Sequence, residues 1–202
     1  IRWLPALPKV LRPESESMLV IGFGGGALLE DVPGGFRTID VIELEQEVLH
    51  ANEVIADKRA IDPLQDPRVK IIIKDARGAL ALTQKRYDTI VSQPSHPWTA
   101  GASHLYTQEF LELARERLSE NGVFVQWLGA HFVDEKLFRS FCATLLEVFP
   151  HLQLYLLGDN FIFACSPTSL EAPFLSGAKQ DGAVLQLSEY SKLAYVEDAL
   201  AA

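Results

Sequence analysis

The sequence predicts an α/β fold in which a mostly parallel sheet ends in an antiparallel C-terminal hairpin. Short continuous apolar runs recur along the chain, as is typical of strands buried on both faces. Between these runs lie stretches whose apolar residues follow helical spacing. The last two runs are separated only by a turn, which predicts a hairpin. Strands that alternate with helices favour a parallel sheet covered on both faces.

Seven apolar runs are the predicted strands. The first run leads directly into glycines, and the last two flank a turn at Gly158, Asp159 and Asn160. Both features are typical of the points where strands end. The predicted strands are residues 18–22, 38–43, 69–73, 87–92, 122–128, 152–157 and 161–165.

Four amphipathic stretches are the predicted helices. They cover residues 45–56, 76–82, 107–118 and 134–148. Thr107 is a suitable N-cap for the third, which stops near Asn121 and Gly122. From Pro167 onward the pattern weakens, and we predict a loop followed by a helix from about Ser188. Parallel strands followed by a terminal hairpin favour a methyltransferase-type sheet over a plain dinucleotide-binding fold.

The composition supports a folded core, because 48% of the 202 residues are hydrophobic and only 22% are charged. This length predicts one domain, residues 1–166, with a C-terminal appendage at 167–202. The formal net charge is −9, and Lys and Arg form no cluster. Proteins that bind nucleic acid by neutralising phosphates usually have the opposite balance. Nucleic acid is therefore not an expected partner.

The cysteines and the hydropathy pattern predict a compartment. Cys142 and Cys165 lie among apolar residues, which predicts buried free thiols and a reducing environment. No apolar run reaches the ~18–20 residues that span a bilayer, and no signal-peptide pattern is present. We therefore expect a cytoplasmic domain. Because the chain begins at Ile1, we expect it to be a piece of a longer protein.

A glycine-rich loop follows the first predicted strand and reads Gly22-Phe23-Gly24-Gly25-Gly26-Ala27. Glycine allows positive φ and lets a ligand approach the backbone closely. The next helix offers unpaired N–H groups to an anionic group. The spacing also fits a dinucleotide fingerprint, and a tight turn without a ligand remains an alternative.

Acidic residues end the next two predicted strands. Glu43 lies 21 residues after Gly22, where a carboxylate can accept hydrogen bonds from the two ribose hydroxyls of a nucleoside. Asp75 can accept from the amino group of adenine, while Ala76 offers a backbone N–H to a ring nitrogen. The alternatives are a solvated acid at Glu43 and a helix N-cap at Asp75, and the cap is compatible with ligand binding. Three successive strand ends together predict an adenosine site.

Six segments carry a resemblance to a known family. In this order and spacing, MLVIGFGGG, VIELEQEV, DPRVKIIIKDAR, RYDTIVSQPSHPW, LYTQEF and NGVFVQWL resemble the spermidine/spermine synthases over roughly residues 15–166. The chain is most similar to the branch that is fused to membrane segments. The loops of that branch typically read Pro-Ser-Asn-Pro-Trp-x-x-Gly, where this chain has Pro94-Ser95-His96-Pro97-Trp98-Thr99-Ala100-Gly101.

The resemblance implies a Rossmann-like fold of the S-adenosylmethionine-dependent methyltransferase type, here without an N-terminal β domain. It also implies binding of decarboxylated S-adenosylmethionine as a donor substrate, aminopropyl transfer to a diamine and release of methylthioadenosine. No metal is implied. By position, the residues that would hold the nucleoside are Gly22, Gly24, Gly25, Glu43, Asp75 and Ala76.

The acceptor loop departs from the family pattern. Polyamine synthases carry Asp-x-x-Asp-Pro there, whereas this chain has Gln93 and His96 ahead of Pro97. An alkylamine of pKa ~10.4 is almost entirely protonated at neutral pH, and a carboxylate pair attracts it and takes its proton. An amide such as Gln93 is not a base, whereas a histidine such as His96 can act as a base at neutral pH. Both are the candidate catalytic residues, and a loop histidine bonded to backbone is the alternative for His96.

Two aromatic residues, Trp98 and Tyr106, are candidates for the walls of the acceptor pocket, with simple packing as the alternative. His96, His104 and His131 lack the spacing of metal ligands, so no metal site is predicted. Asp88 is expected to brace the start of its strand, and Gln126 and Trp127 are expected to be buried structure.

Several functions remain open. The first is an aminopropyltransferase-like enzyme with an altered acceptor site, acting on a small-molecule amine or another acceptor. The second is a methyltransferase that uses S-adenosylmethionine itself, and the third is a nucleoside-binding module without turnover. A nicotinamide oxidoreductase ranks last, since no hydride-site residues are evident. The resemblance leaves room for a homodimer and for membrane-embedded segments elsewhere in a full-length protein.

Overall fold

A seven-stranded sheet in the order β3-β2-β1-β4-β5-β7-β6 organises the chain. The computed structural model describes residues 3–99 and 101–170. β1 to β5 are parallel, and β7 runs antiparallel to both β5 and β6. The strands are β1 Ser17–Ile21, β2 Thr38–Glu43, β3 Val69–Ile73, β4 Tyr87–Ser92, β5 Leu118–Gly129, β6 His151–Leu157 and β7 Asn160–Ser166. The predicted mostly parallel sheet with its C-terminal hairpin is confirmed.

The described residues form six α-helices, of which α1 precedes β1 and each of the others lies between two strands. They are α1 Leu7–Leu11, α2 Ala27–Glu30, α3 Gln46–Val54, α4 Ala76–Leu82, α5 Gln108–Glu116 and α6 Glu135–Val148. Short 3-10 turns lie at Ala56–Lys58, Pro63–Gln65, Ala102–Tyr106 and Ala130–Phe132. The helix predicted from Ser188 and most of the appendage at 167–202 lie outside the described residues. No described helix has both the length and the apolar character needed to cross a membrane.

The sheet separates two hydrophobic cores. Strand residues alternate between them, so that Leu19 and Ile21 enter one core while Met18 and Val20 enter the other. The first core is closed by α4, α5 and α6, and the second receives apolar side chains from α1, α2 and α3. Cys142 and Cys165 are free thiols buried in the first core, as predicted.

Several bounds shift by one or two residues from their prediction, and β5 and α1 differ more. β5 begins at Leu118 rather than at residue 122, because Tyr87 pairs with Leu118 before the register shifts and Thr89 pairs with Val123. The polar residues inside that shift hide the strand in the apolar pattern. The five-residue helix α1 was also not predicted, since Pro5 and Pro8 interrupt the apolar spacing there.

Candidate functional site

A cleft of about 360 Å³ opens at the carboxyl ends of β1, β2, β3 and β4. The chain leaves β1 toward β2 and β3, then returns to place β4 on the other side of β1. In open α/β sheets, ligands bind at such a reversal, outside the carboxyl ends of the strands. Of the predicted donor residues, the cleft is lined by Gly22, Gly24, Glu43, Asp75 and Ala76.

The glycine loop forms the centre of this cleft. Gly22, Gly24 and Gly26 all have positive φ, at 90°, 53° and 74°, a conformation that side-chain-bearing residues rarely adopt. A Cβ on Gly22 would lie 2.8 Å from the backbone oxygen of Gln93. The loop after β1 and the loop after β4 therefore meet at a distance that only glycine permits. Gly25, also a predicted donor residue, is not among the described residues that line the cleft.

Glu43 joins the glycine loop to the end of β2. Its Oε2 accepts hydrogen bonds from the backbone N–H of Phe23 at 2.9 Å and of Gly24 at 3.4 Å. Its Oε1 accepts from the N–H groups of Leu44 at 2.8 Å and Glu45 at 3.1 Å. The residue is only 8% exposed, so it is not a solvated acid. Glu43 braces two loops and also lines the cleft.

Asp75 has the cap role that the sequence suggested. Its Oδ2 accepts a hydrogen bond from the backbone N–H of Gly78 at 2.8 Å, at the start of α4. Asp75 and the buried Ala76 also line the cleft, on the side of β3. The cap and a ligand contact are therefore sterically compatible.

Sequence reasoning missed two charged residues of the cleft, Glu45 and Lys74. Glu45 is the N-cap residue of α3. Their positions in the sequence could have identified them, because Lys74 adjoins Asp75 and Glu45 lies two residues after Glu43. With Glu43 and Asp75, the β2–β3 side of the cleft carries three carboxylates and one ammonium group.

The opposite side of the cleft is uncharged. It comprises the segment after β4 and the turn Ala102–Tyr106, with Gln93, Ser95, Thr99 and Leu105 among its lining residues. None of the described lining residues on this side has an ionisable side chain. Gln93 donates its backbone N–H to the oxygen of Ile21 at 3.0 Å, which ties this segment to β1.

His96 and Trp98 lie away from the described lining of the cleft. The His96 ring stacks on Trp98, with centroids 4.7 Å apart and planes 9° apart, and contacts Trp127 at 5.4 Å. Trp127 is held in turn by Asn160, which accepts its indole N–H at 2.7 Å. Trp98 is 52% exposed. The structure therefore brings His96 together with Trp98 of the same loop and with Trp127 of β5.

Tyr106 lies beneath the acceptor loop. Its hydroxyl donates a hydrogen bond to the backbone oxygen of Ser95 at 3.1 Å, and its ring meets Phe141 edge-on. Burial raises the pKa of the Tyr106 phenol, opposed by a hydrogen bond from the buried Gln126 side chain. The phenol therefore stays neutral at physiological pH and supports the loop, while its neighbour Leu105 reaches the cleft.

Metal-ligating side chains are dispersed. Within residues 3–99 and 101–170, His, Cys, Asp and Glu side chains form no group of three or more that could hold a metal ion.

Comparison with known proteins relates this fold and cleft to one family. The model of the spermine/spermidine synthase domain matches residues 2–158. The chain is 25% identical over 164 residues to a polyamine aminopropyltransferase from Hamiltonella defensa, covering 80% of this chain and 54% of that protein. It is 26% identical over 151 residues to one from Serratia proteamaculans, covering 74% and 52%. The chain thus spans about half the length of these relatives.

Solved structures share the fold. A spermidine synthase in complex with the transition-state analogue AdoDATO superposes with a TM-score of 0.77 at 21% identity, over 94% of this chain and 70% of that one. Spermidine synthase from Thermotoga maritima gives 0.74 at 20% identity, with the same coverage. Human methyltransferase-like protein 13 in complex with SAH gives 0.63 at 23% identity, over 93% and 85%.

Proposed function

The chain belongs to the spermine/spermidine synthase family, and on that premise we propose that it binds an adenosyl sulfonium donor and transfers a group to an acceptor. The donor would be decarboxylated S-adenosylmethionine, and the transferred group aminopropyl. One observation carries the proposal: Gly22, Glu43, Asp75 and Gln93 line a single cleft at four neighbouring strand ends.

The strand order supports one orientation of the bound donor along the cleft. Adenine would contact Asp75 and Ala76 beside β3, and the ribose hydroxyls would contact Glu43 beside β2. The sulfonium end would then reach the glycine loop after β1, facing Gln93 after β4. The volume of about 360 Å³ lies within the usual range of small-molecule sites. An excess of carboxylates in the lining favours a cationic ligand.

The proposed reaction is a displacement at carbon. The acceptor nitrogen attacks the carbon bound to the sulfonium, the carbon–sulfur bond breaks, and the sulfur leaves as a neutral thioether. The positive charge passes to the acceptor nitrogen, which then releases a proton to solvent or a base. Gln93 would orient the acceptor through its amide. His96 is proposed to hold the loop, because its ring packs on Trp98 and Trp127 and it is not among the described residues that line the cleft.

A methyltransferase is the second candidate, favoured by the uncharged side of the cleft. A protonated diamine gains little binding free energy from Gln93, Ser95 and Thr99, because these side chains carry no charge. Methyl transfer, in contrast, does not require a dicationic acceptor. The donor distinguishes the two reactions, since aminopropyl transfer uses the decarboxylated molecule and methyl transfer uses the carboxylated one. A module that binds a nucleoside without turnover is left if neither donor yields a product.

Calorimetric titration tests the donor site. We expect wild-type protein to bind decarboxylated S-adenosylmethionine, S-adenosylmethionine or methylthioadenosine, and the tighter of the two donors indicates the reaction. Glu43→Gln should weaken binding by about 2 kcal/mol, as expected for hydrogen bonds to a charged group. Glu47→Gln is the matched control, because Glu47 is exposed and absent from the described lining. Equal binding by both variants contradicts the assignment of Glu43, and no binding by wild-type protein contradicts the proposed function.

A further inference from the structure

Two buried polar side chains hold carbonyl groups of the glycine loop, whereas Glu43 holds its N–H groups. Asn52, on α3 and 5% exposed, donates its Nδ2 hydrogens to the backbone oxygens of Gly24 at 2.9 Å and Val48 at 2.7 Å. Arg59 donates from Nη2 to the backbone oxygen of Gly25 at 2.6 Å and to Asn52 Oδ1. Consecutive carbonyl groups of the loop are thus each held by a side chain.

The side chain of Arg59 is buried and forms an ion pair with a carboxylate. Its side chain is only 8% exposed, and its Nη1 forms an ion pair with Glu30 of α2 at 2.7 Å. Its Nε is buried without a hydrogen-bond partner among the described residues, and such burial costs free energy. The hydrogen bonds of Arg59 to Glu30, to the Gly25 carbonyl and to Asn52 offset that cost.

Gly26 leaves the space that Arg59 occupies. A Cβ at position 26 would lie 2.8 Å from Arg59 Nη1 and 3.1 Å from the Phe23 ring. The glycines that allow positive φ also leave the loop free to adopt many conformations when it is not held. Glu43 fixes the N–H groups of Phe23 and Gly24, and the Asn52–Arg59 pair fixes the next carbonyls.

We propose that Asn52 and Arg59 are positioning residues that fix the glycine loop in the conformation that receives the sulfonium end of the donor. The inference rests on the proposed function. Because β1 lies between β2 and β4, the loop faces the part of the donor beyond the ribose, while adenine and ribose contact the ends of β3 and β2. A looser loop should therefore weaken the binding of the sulfonium donor more than it weakens the binding of adenosine.

The test compares two ligands on the same variants. Asn52→Asp replaces the amide donor by an oxygen that repels the Gly24 carbonyl, and Arg59→Lys removes the fork that reaches Gly25, Asn52 and Glu30 together. Titration with S-adenosylmethionine, its decarboxylated form and adenosine should show at least tenfold weaker binding of the preferred donor. The binding of adenosine should weaken by less than threefold. Arg37→Lys is the matched control, since Arg37 is exposed and pairs only with Glu16 among the described ion pairs.

Thermal unfolding of each variant shows that it is folded before titration. Should Asn52→Asp not fold, Glu30→Gln supplies the comparison, because it weakens the support of Arg59 without touching the loop. Equal losses for donor and adenosine overturn this inference and leave the proposed function intact. Wild-type protein that binds neither donor overturns the proposed function, and this inference with it.

Discussion

At the scale of single residues, the space beside His96 exists because residue 129 is a glycine. A Cβ on Gly129 would lie 2.7 Å from Cε1 of His96, closer than packed atoms approach. Gly129 has φ −69° and ψ 132°, which any residue adopts, so the requirement for glycine is steric alone. The substitution of Gly129 therefore tests the packing of the acceptor loop without backbone strain.

We expect Gly129→Ala to lower the free energy of unfolding by about 1–3 kcal/mol, the usual cost of overpacking. The added methyl group displaces the His96 ring from Trp98 and Trp127. Urea unfolding measures the loss, and adding His96→Ala should restore part of it by removing the clash. Gly34→Ala is the control, because no described atom lies within 4 Å of a Cβ there. Similar stabilities of the two alanine variants contradict the steric account.

The residue scale also shows what a sequence reveals about a site. Glu43 and Asp75 were predictable because each follows an apolar run, and parallel strand ends converge at one edge of a sheet. Asn52 and Arg59 bind loop carbonyls 28 and 34 residues away, and neither ends a strand. The stack of His96 on Trp127 likewise depends on how the acceptor loop folds onto β5. No local pattern encodes these contacts.

At the scale of elements, Asp88 links three neighbouring strands at their amino ends. From β4, its Oδ2 accepts the backbone N–H groups of Glu16 and Ser17, both at 3.0 Å, and the Ser17 hydroxyl at 2.9 Å. Its Oδ1 accepts the hydroxyl of Ser119 on β5 at 2.9 Å. The sequence-based expectation that Asp88 braces the start of its strand is confirmed, and the brace extends to β1 and β5.

This carboxylate predicts a pH dependence of stability. Burial raises the pKa of Asp88, but hydrogen bonds from Glu16, Ser17 and Ser119 outweigh it, so the net pKa is lowered. A lowered pKa contributes stability above the unfolded value of about 3.9 that is lost as pH falls through the folded value. Asp88→Asn should therefore lower the free energy of unfolding by about 1–2 kcal/mol at pH 7, since the group is partly exposed.

Urea unfolding at pH 7 and at pH 3 measures this dependence. The difference between wild-type protein and Asp88→Asn should shrink at the lower pH, because the stability that comes from the lowered pKa of Asp88 is lost as the pH falls below the unfolded value of about 3.9. The exposed Asp57 provides the control substitution Asp57→Asn, for which we expect little change at either pH. A difference that stays constant between the two pH values contradicts the role of the Asp88 charge.

Element boundaries followed the sequence where no turn residue interrupts a strand. β2, β3 and β4 have the predicted bounds, and none of them contains a Gly, Pro or Asn. β5 starts four residues early, since Glu120 and Asn121 are exposed within the register shift and resemble a turn. Strand pairing across the sheet, rather than local preference, extends such a segment.

At the scale of the whole molecule, the two cysteine thiols share one hydrophobic core with two apolar residues of the cleft lining. Cys165 of β7 is fully buried in the same core as Ile21 and Ile42, which also line the cleft. Burial raises the pKa of the Cys165 thiol well above its ordinary value and that of Cys142 to about 11. Both thiols are therefore protonated and inaccessible in the native state, and reagents reach them only through unfolding.

We expect Cys165 in a Cys142→Ser variant to react with a thiol reagent at pH 8 at a rate proportional to the equilibrium population of opened molecules. A bound adenosyl donor stabilises the native state by mass action, by about 2.7 kcal/mol at a hundred times its dissociation constant. The labelling rate should then fall about a hundredfold, as equilibrium opening predicts. Because β7 lies on the far side of β5 from the cleft, such an effect requires that opening at Cys165 also dismantles the donor site. A labelling rate that donor leaves unchanged, under conditions where titration shows saturation, would instead mean that the C-terminal hairpin opens independently of the parallel strands.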